Sequence, residues 1–260
     1  MDCEVLLPHI GRRGRAIMQA MVDAAPRVGV RCQVTQSYRG VAPMLMSYGL
    51  GHIQRRHWTQ AHVANGGRLI GWDMGYWDRD VAMRVTVDAE HPRHMPMMPP
   101  HRWEAAGIAL REEFDPTGTI VLVGMGRKSR AQFGWAGQEW EEAALARIRC
   151  AYPGRLVVYR PKKPEVLEGC RSDNRPIEEV LRGASLVVCR HSNVAVDACI
   201  AGVPVVCEDG AAAALYGSDL SAPVRPDREQ RLQFLQNLAW WQWRPSEAEA
   251  AWRFLLKVCA

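Results

Sequence analysis

Lysine is nearly absent from this chain: Lys128, Lys162, Lys163 and Lys257 are the only four among 33 Lys+Arg residues. No lysine-rich arm of the kind that coats nucleic acid without specificity is present, and the positive charge is carried by arginine, whose planar fork suits phosphate and carboxylate. An Arg- and Ala-rich composition also follows from a GC-rich genome, and that reading stays open beside the first. The eight cysteines occur singly, with no C-x-x-C pair. This excludes a zinc ribbon or thioredoxin-like motif and points to a reducing compartment. Long hydrophobic runs are also lacking. The most apolar stretch, residues 194–207, is short and interrupted by Asp197, so no membrane span or membrane partner is expected. No basic-apolar-small leader pattern opens the chain, and a cytoplasmic location is expected. There is no internal repeat.

What remains is ordinary globular material, with 260 residues, 48% hydrophobic and 23% charged, and a formal net charge of +5. The length suits one large domain or two of roughly 110–150 residues. Periodicity favours two. Apolar runs at 4–8, 30–35, 43–48, 68–73 and 83–87 read as strands, and helical spacing appears at 15–25 and 53–64. Strands alternating with helices indicate parallel pairing and an α/β layer structure. Residues 91–101, HPRHMPMMPPH, carry four prolines and read as an extended connection before a helix at 103–112. The pattern then restarts. Strands are expected at 119–123, 155–160, 186–190 and 203–207, a glycine loop at 124–129, and helices at 138–150, 177–182 and 193–200. Helices near 227–240 and 247–258 close the chain. The expected fold is therefore two Rossmann-like doubly wound α/β domains, 1–112 and 113–260, with C-terminal helices, their strand ends facing a shared cleft.

The sharpest segment is LVVCRHSNVAVDACIAGVPVVCED at 186–209. A buried strand ends at Arg190-His191-Ser192, a helix starts at Asn193, and Gly202-Val203-Pro204 leads into another buried strand ending at Glu208. Ser192 or Asn193 is a natural N-cap, and the helix start offers unpaired N–H groups to an anion, most naturally a diphosphate. Asn193 and Asp197 lie one helical turn apart. His191, Glu208, Lys128 and Arg160 all fall at expected carboxyl ends of strands. A tight helix-strand connection would use the same small residues in any Rossmann-like domain, and His191 alone suits a strand-end histidine as well as a catalytic one.

This H-S-N-x-x-x-D-A-x-x-A-G-V-P-V-V pattern resembles the donor-binding segment of GT-B-type glycosyltransferases and related nucleotide-sugar epimerases, over about residues 119–210. The resemblance implies a nucleotide-sugar co-substrate and no bound cofactor. Its donor side would comprise Gly124, Gly126, Arg127, Lys128, Arg160, Lys162, Ser192, Asn193, Asp197 and Glu208, with His191 as a catalytic candidate. GT-B enzymes typically need no bound metal. His91, His94 and His101 lack a zinc-like spacing, so no metal ligand is assigned.

The first half would then hold the acceptor. In GGRLIGWDMGYWDRDVAMR, residues 66–84, Asp73 ends a buried strand beside aromatic groups. A carboxylate so placed can have the raised pKa of a general base. A turn-capping Asp73 with Trp72 and Trp77 as core is the plainer alternative. The loop at 8–14, PHIGRRG, sits where GT-B-like folds place an acceptor-side glycine loop. His9, Arg12 and Arg13 there, with Trp77 and Arg79, complete the acceptor candidates. The tryptophans 240, 241, 243 and 252 either form a stacking platform for bases or lock a terminal helix onto the core. The final stretch also resembles phage and prophage proteins of glycosyltransferase-like kind, which implies a hydroxymethylated base in phage DNA as acceptor and the host cytoplasm as location. Residues 1–112 carry 14 arginines and 10 acids, a balance of +4 that suits a polyanion. A nucleotide-sugar epimerase or hydrolase of the same fold, and a non-catalytic DNA-binding module, are the competing readings.

Overall fold

The computed structural model describes residues 1–7, 11–92 and 95–259. The chain forms two compact units, Met1–His94 with Trp240–Ala260, and Met95–Ala239. The expected boundary after residue 112 falls inside the second unit, and the closing residues return to the first.

In the first unit the elements are β1 (Asp2–Leu6), α1 (Arg12–Ala24), β2 (Arg31–Thr35), β3 (Met44–Tyr48), α2 (Ile53–Ala64), β4 (Arg68–Met74) and β5 (Met83–Val87). The second contains α3 (His101–Ala106), β6 (Thr119–Val123), α4 (Arg127–Gln132), α5 (Glu139–Ala151), β7 (Val157–Arg160), β8 (Arg171–Ser172), α6 (Ile177–Leu181), β9 (Ala184–Cys189), α7 (Val194–Ala201), β10 (Val205–Cys207), α8 (Ala213–Tyr216) and α9 (Arg228–Ala239). Back in the first unit lie β11 (Gln242–Trp243) and α10 (Ala248–Cys259).

The first sheet has the order β11-β5-β4-β3-β1-β2. Its β1, β2, β3 and β4 pair in parallel, as the buried runs predict, whereas β5 and β11 add antiparallel. That departure is physical. A short connection such as 75–82 can only return the chain beside β4 in the opposite direction, since a parallel neighbour needs a long crossover. The second sheet, β10-β9-β6-β7-β8, is parallel throughout. Its central strands are buried on both faces, which is why they read as unbroken apolar runs rather than alternations.

The tryptophan-rich end serves packing. On α10, Ala248, Ala251, Trp252 and Leu255 recur at helical spacing and are buried, and the indole of Trp252 donates to the Met21 carbonyl of α1 at 2.7 Å. Trp240, Trp241 and Trp243 gather around Phe254, with ring centroids 5.3–5.9 Å from it. Two helix bounds also differ from expectation. The helix expected at 103–112 runs only from His101 to Ala106, because Gly107 turns left-handed (φ 66°) and ends it. Residues 127–129, expected in a loop, open α4 instead.

Candidate functional site

In both sheets the first strand of the unit lies inside, flanked by later strands on either side, and this reversal of winding opens a crevice at the carboxyl ends. In the second unit the reversal falls at β6, between β7 and β9. Three connections therefore meet there: 124–126 after β6, 161–165 after β7 and 190–193 after β9.

The first connection is glycine-built because its neighbours sit against the backbone. A Cβ on Gly124 would lie 2.4 Å from the Tyr159 hydroxyl, and one on Gly126 would lie 2.9 Å from Cδ of Lys162. Arg127 and Lys128 follow in the first turn of α4, both exposed. Lys162 and Lys163 are exposed on the turn after β7, and Arg160 ends that strand with its Nε buried and without a hydrogen-bond partner among the described residues. No ion pair occupies any of these five cations among the described residues. At the third connection, Ser192 Oγ accepts the Val194 N–H at 3.2 Å, and α7 starts at Val194 with Asn193 as its cap residue. Asn193 and Asp197 stand one turn apart, with the Asp197 N–H on the Asn193 carbonyl. The helix ends where Gly202 takes a left-handed conformation (φ 80°), which the Ala-Gly-Val-Pro string requires. His191 Nε2 lies 3.1 Å from Ser129 Oγ, joining β9 to α4.

A buried ion network underlies these loops. Arg130, on α4 and 5% exposed, reaches Glu141 at 2.6 Å and Glu165 at 2.8 Å, and Glu141 is wholly buried. Glu141 Oε1 also accepts the Met125 N–H at 2.8 Å, so the network holds the glycine loop itself. The Arg130 guanidinium holds the Glu165 carboxyl below its ordinary range. Burial, and then the two carboxylates, push Tyr159 up to about 12.

Glu208 is engaged differently from the expectation that it addresses a ligand. Trp140 Nε1, Arg147 and Arg190 donate to its two oxygens at 3.0, 2.7 and 2.7 Å. Arg190 in turn lies over the Phe133 ring, 4.0 Å from its centroid. Sequence reasoning passed over Trp140, Arg147 and the Arg130 triad, whose partners are distant along the chain.

In the first unit, Asp73 stands at the end of β4 opposite Arg84 of β5, with 3.6 Å between Oδ2 and Nη2. Its expected aromatic surroundings are thus joined by a cation. The Arg84 Nη1 also lies 2.6 Å from His91 Nδ1. Tyr76 is wholly buried beside Arg84, and burial raises its pKa. Arg12 and Arg13, expected in a loop, lie in the first turn of α1. Arg13 pairs with Asp80 at 3.1 Å and donates to the Arg79 carbonyl at 2.9 Å. Trp77 is largely buried, and its N–H donates to Gln242 at 3.3 Å. His9 lies outside the described residues, as does His94. The triplet Asp78-Arg79-Asp80 has a D-x-D spacing that the metal-free expectation does not account for, and Asp78 faces Arg244 at 2.7 Å. Among the described residues no three His, Cys, Asp or Glu side chains gather to hold a metal ion. No helix among them is long and apolar enough to cross a membrane.

Two Rossmann-like units, the second with a cation-lined crevice at its strand reversal, place the chain in the GT-B class of fold. More particularly, it is similar to two chains of KpsC from Thermosulfurimonas dismutans. One is a beta Kdo 2,4 transferase, with 10% identity over 98% of each chain and a TM-score of 0.53. The other is a beta Kdo 2,7 transferase, with 15% identity over 99% of this chain and 100% of that one, and a TM-score of 0.52. At such identities the likeness is one of fold. No protein-family model matches the chain, and no curated protein matches it by sequence.

Proposed function

We propose that this protein is a glycosyltransferase that moves a sugar from a nucleotide-sugar to an acceptor hydroxyl. The observation that carries the reading is the concentration of Arg127, Lys128, Arg160, Lys162 and the α7 start at one strand reversal. Such a site matches the phosphates of a nucleotide-sugar, because fixed cations and helix N–H groups stabilise the charge that develops on the departing nucleotide. That stabilisation needs no metal. Kinship of fold with two Kdo transferases supports sugar transfer as the chemistry, and adds nucleotide-activated Kdo to the donors worth testing. Asp73 is the general base of the proposal, with Arg84 behind it, and His191 the catalytic group on the donor side. The acceptor hydroxyl includes that of a hydroxymethylated DNA base, for which a base in duplex would have to be flipped out.

Thermal shifts of the full chain against UDP, GDP, CMP and dTDP, each with representative sugars, test the donor site directly. One nucleotide family should stabilise the fold as ligand linkage requires, by about 2.7 kcal/mol at a hundredfold excess over Kd. Replacing Ser192 and Asn193 together by alanine should then weaken that nucleotide at least about tenfold, the equivalent of 1.4 kcal/mol. A wild-type chain that responds to none of the panel overturns the donor-site reading. Turnover without any acceptor would make the enzyme a hydrolase or epimerase instead. Stabilisation by DNA alone would leave a binding module.

A further inference from the structure

The turn after β7 reads Pro161-Lys162-Lys163-Pro164-Glu165, two lysines bracketed by prolines that each fix one backbone dihedral. Lysines on exposed turns are ordinarily mobile, and long charged side chains lose about 2 kcal/mol of rotamer freedom when ordered. Here both ends of the turn are tied. At its start, β7 pairs with β6, and the Gly124 N–H donates to the Arg160 carbonyl at 2.9 Å. At its far end, Glu165 receives Arg130 through both oxygens at 2.8 Å, and its carbonyl accepts the Ser172 hydroxyl at 3.1 Å. Two residues on, Leu167 is buried in the core. The same Arg130 grips Glu141, which holds the Met125 N–H of the glycine loop. One guanidinium therefore fastens both walls of the crevice. Between them the stem of Lys162 crosses Gly126, so close that a Cβ there would meet Cδ at 2.9 Å and Nζ at 3.6 Å.

We infer that Arg130, Glu141 and Glu165 form a clasp that holds Lys162 over the glycine loop as a preset anion ligand, with Glu165 the positioning residue for the phosphate of a bound nucleotide. This rests on the donor-site reading of the second unit. The clasp carries two carboxylates and one guanidinium, so it is not itself an anion site. It sets where the exposed ammonium stands before the ligand arrives, and an ordering cost met during folding is not met again on binding.

A double-mutant cycle on the full chain separates positioning from mere support. UDP, GDP, CMP and dTDP are titrated calorimetrically into wild type, Glu165→Gln, Lys162→Ala and the double variant. Glu165→Gln leaves the fully buried Arg130–Glu141 pair in place, so the chain folds, and its unliganded melting point checks this. For the nucleotide that binds wild type, Lys162→Ala should lower affinity about tenfold and Glu165→Gln about fivefold, in the range of single charge-assisted contacts. The double variant should bind no more weakly than Lys162→Ala alone. If Glu165 were only structural, its loss would multiply with that of Lys162. That outcome, or wild-type affinity in Glu165→Gln, overturns the clasp while the donor site stands. Failure of wild type to bind any of the four overturns the donor-site reading itself, and the clasp with it.

Discussion

Replacing Arg130 by methionine removes one cation of similar length and apolar stem from the interior of the second unit. What it leaves behind decides the cost. Glu141 is wholly buried, and in the wild type its Oε1 receives Arg130 Nε at 3.0 Å, Arg130 Nη2 at 2.6 Å and the Met125 N–H at 2.8 Å. The variant keeps only the last of these. A buried carboxylate that loses its partner typically costs about 3–5 kcal/mol. The partly exposed Glu165 adds little, since water can replace its lost contact. At about 3 °C per kcal/mol for a unit of this size, the melting point of Met95–Ala239 should fall by roughly 10 °C. Adding Glu141→Gln keeps the acceptor for Met125 and deletes the stranded charge, so the double variant should recover about half of the loss. Urea titrations followed by circular dichroism measure both. A loss below about 1 kcal/mol in Arg130→Met, or a further loss on adding Glu141→Gln, would refute the argument that the triad is held by charge compensation in a dry site.

Asp73→Asn keeps shape and the Met74 N–H bond while removing the negative charge, so transfer should fall by at least about a hundredfold, the usual scale of general-base loss, with nucleotide affinity unchanged. Near-normal turnover in a donor-and-acceptor assay would remove Asp73 from the mechanism. Acid titration offers a second check. Arg130 holds Glu165, and Arg175 holds Asp173, below their ordinary ranges. A depressed folded pKa contributes stability above the unfolded value of about 4, and that contribution is lost as pH falls through the folded pKa. Stability of the wild type should therefore decline below about pH 4 more steeply than that of Glu165→Gln, since the glutamine has nothing to protonate. Parallel declines in the two proteins would show that the Arg130 contact does not bias the titration.

Alternation of apolar runs with helical spacing made both α/β layers readable, and the bounds of α2, β5 and β6 follow the sequence pattern to the residue. In β5 and β6 the apolar run itself is buried and carries the signal, whereas α2 buries Arg55, Thr59 and His62 and is marked by its helical spacing alone. Strand direction is different. Nothing within MRVTV distinguishes an antiparallel β5 from a parallel one, because the distinction resides in the length of the preceding connection, and β11 is two residues whose only mark is pairing with β5. Polar partners are harder still. Arg130 stands 35 residues from Glu165, Glu208 stands 68 from Trp140, and no period relates residues whose encounter depends on how three loops converge. The elements of the segment at 186–209 are legible in the sequence because strand end, cap, helix and return strand are contiguous. The engagement of Glu208 is not legible there, because two of its three donors, Trp140 and Arg147, come from α5, 68 and 61 residues away, and only Arg190 belongs to the segment. A carboxylate at a strand end advertises a ligand only while its oxygens are unclaimed, and whether they are claimed is a property of packing that the strand does not encode.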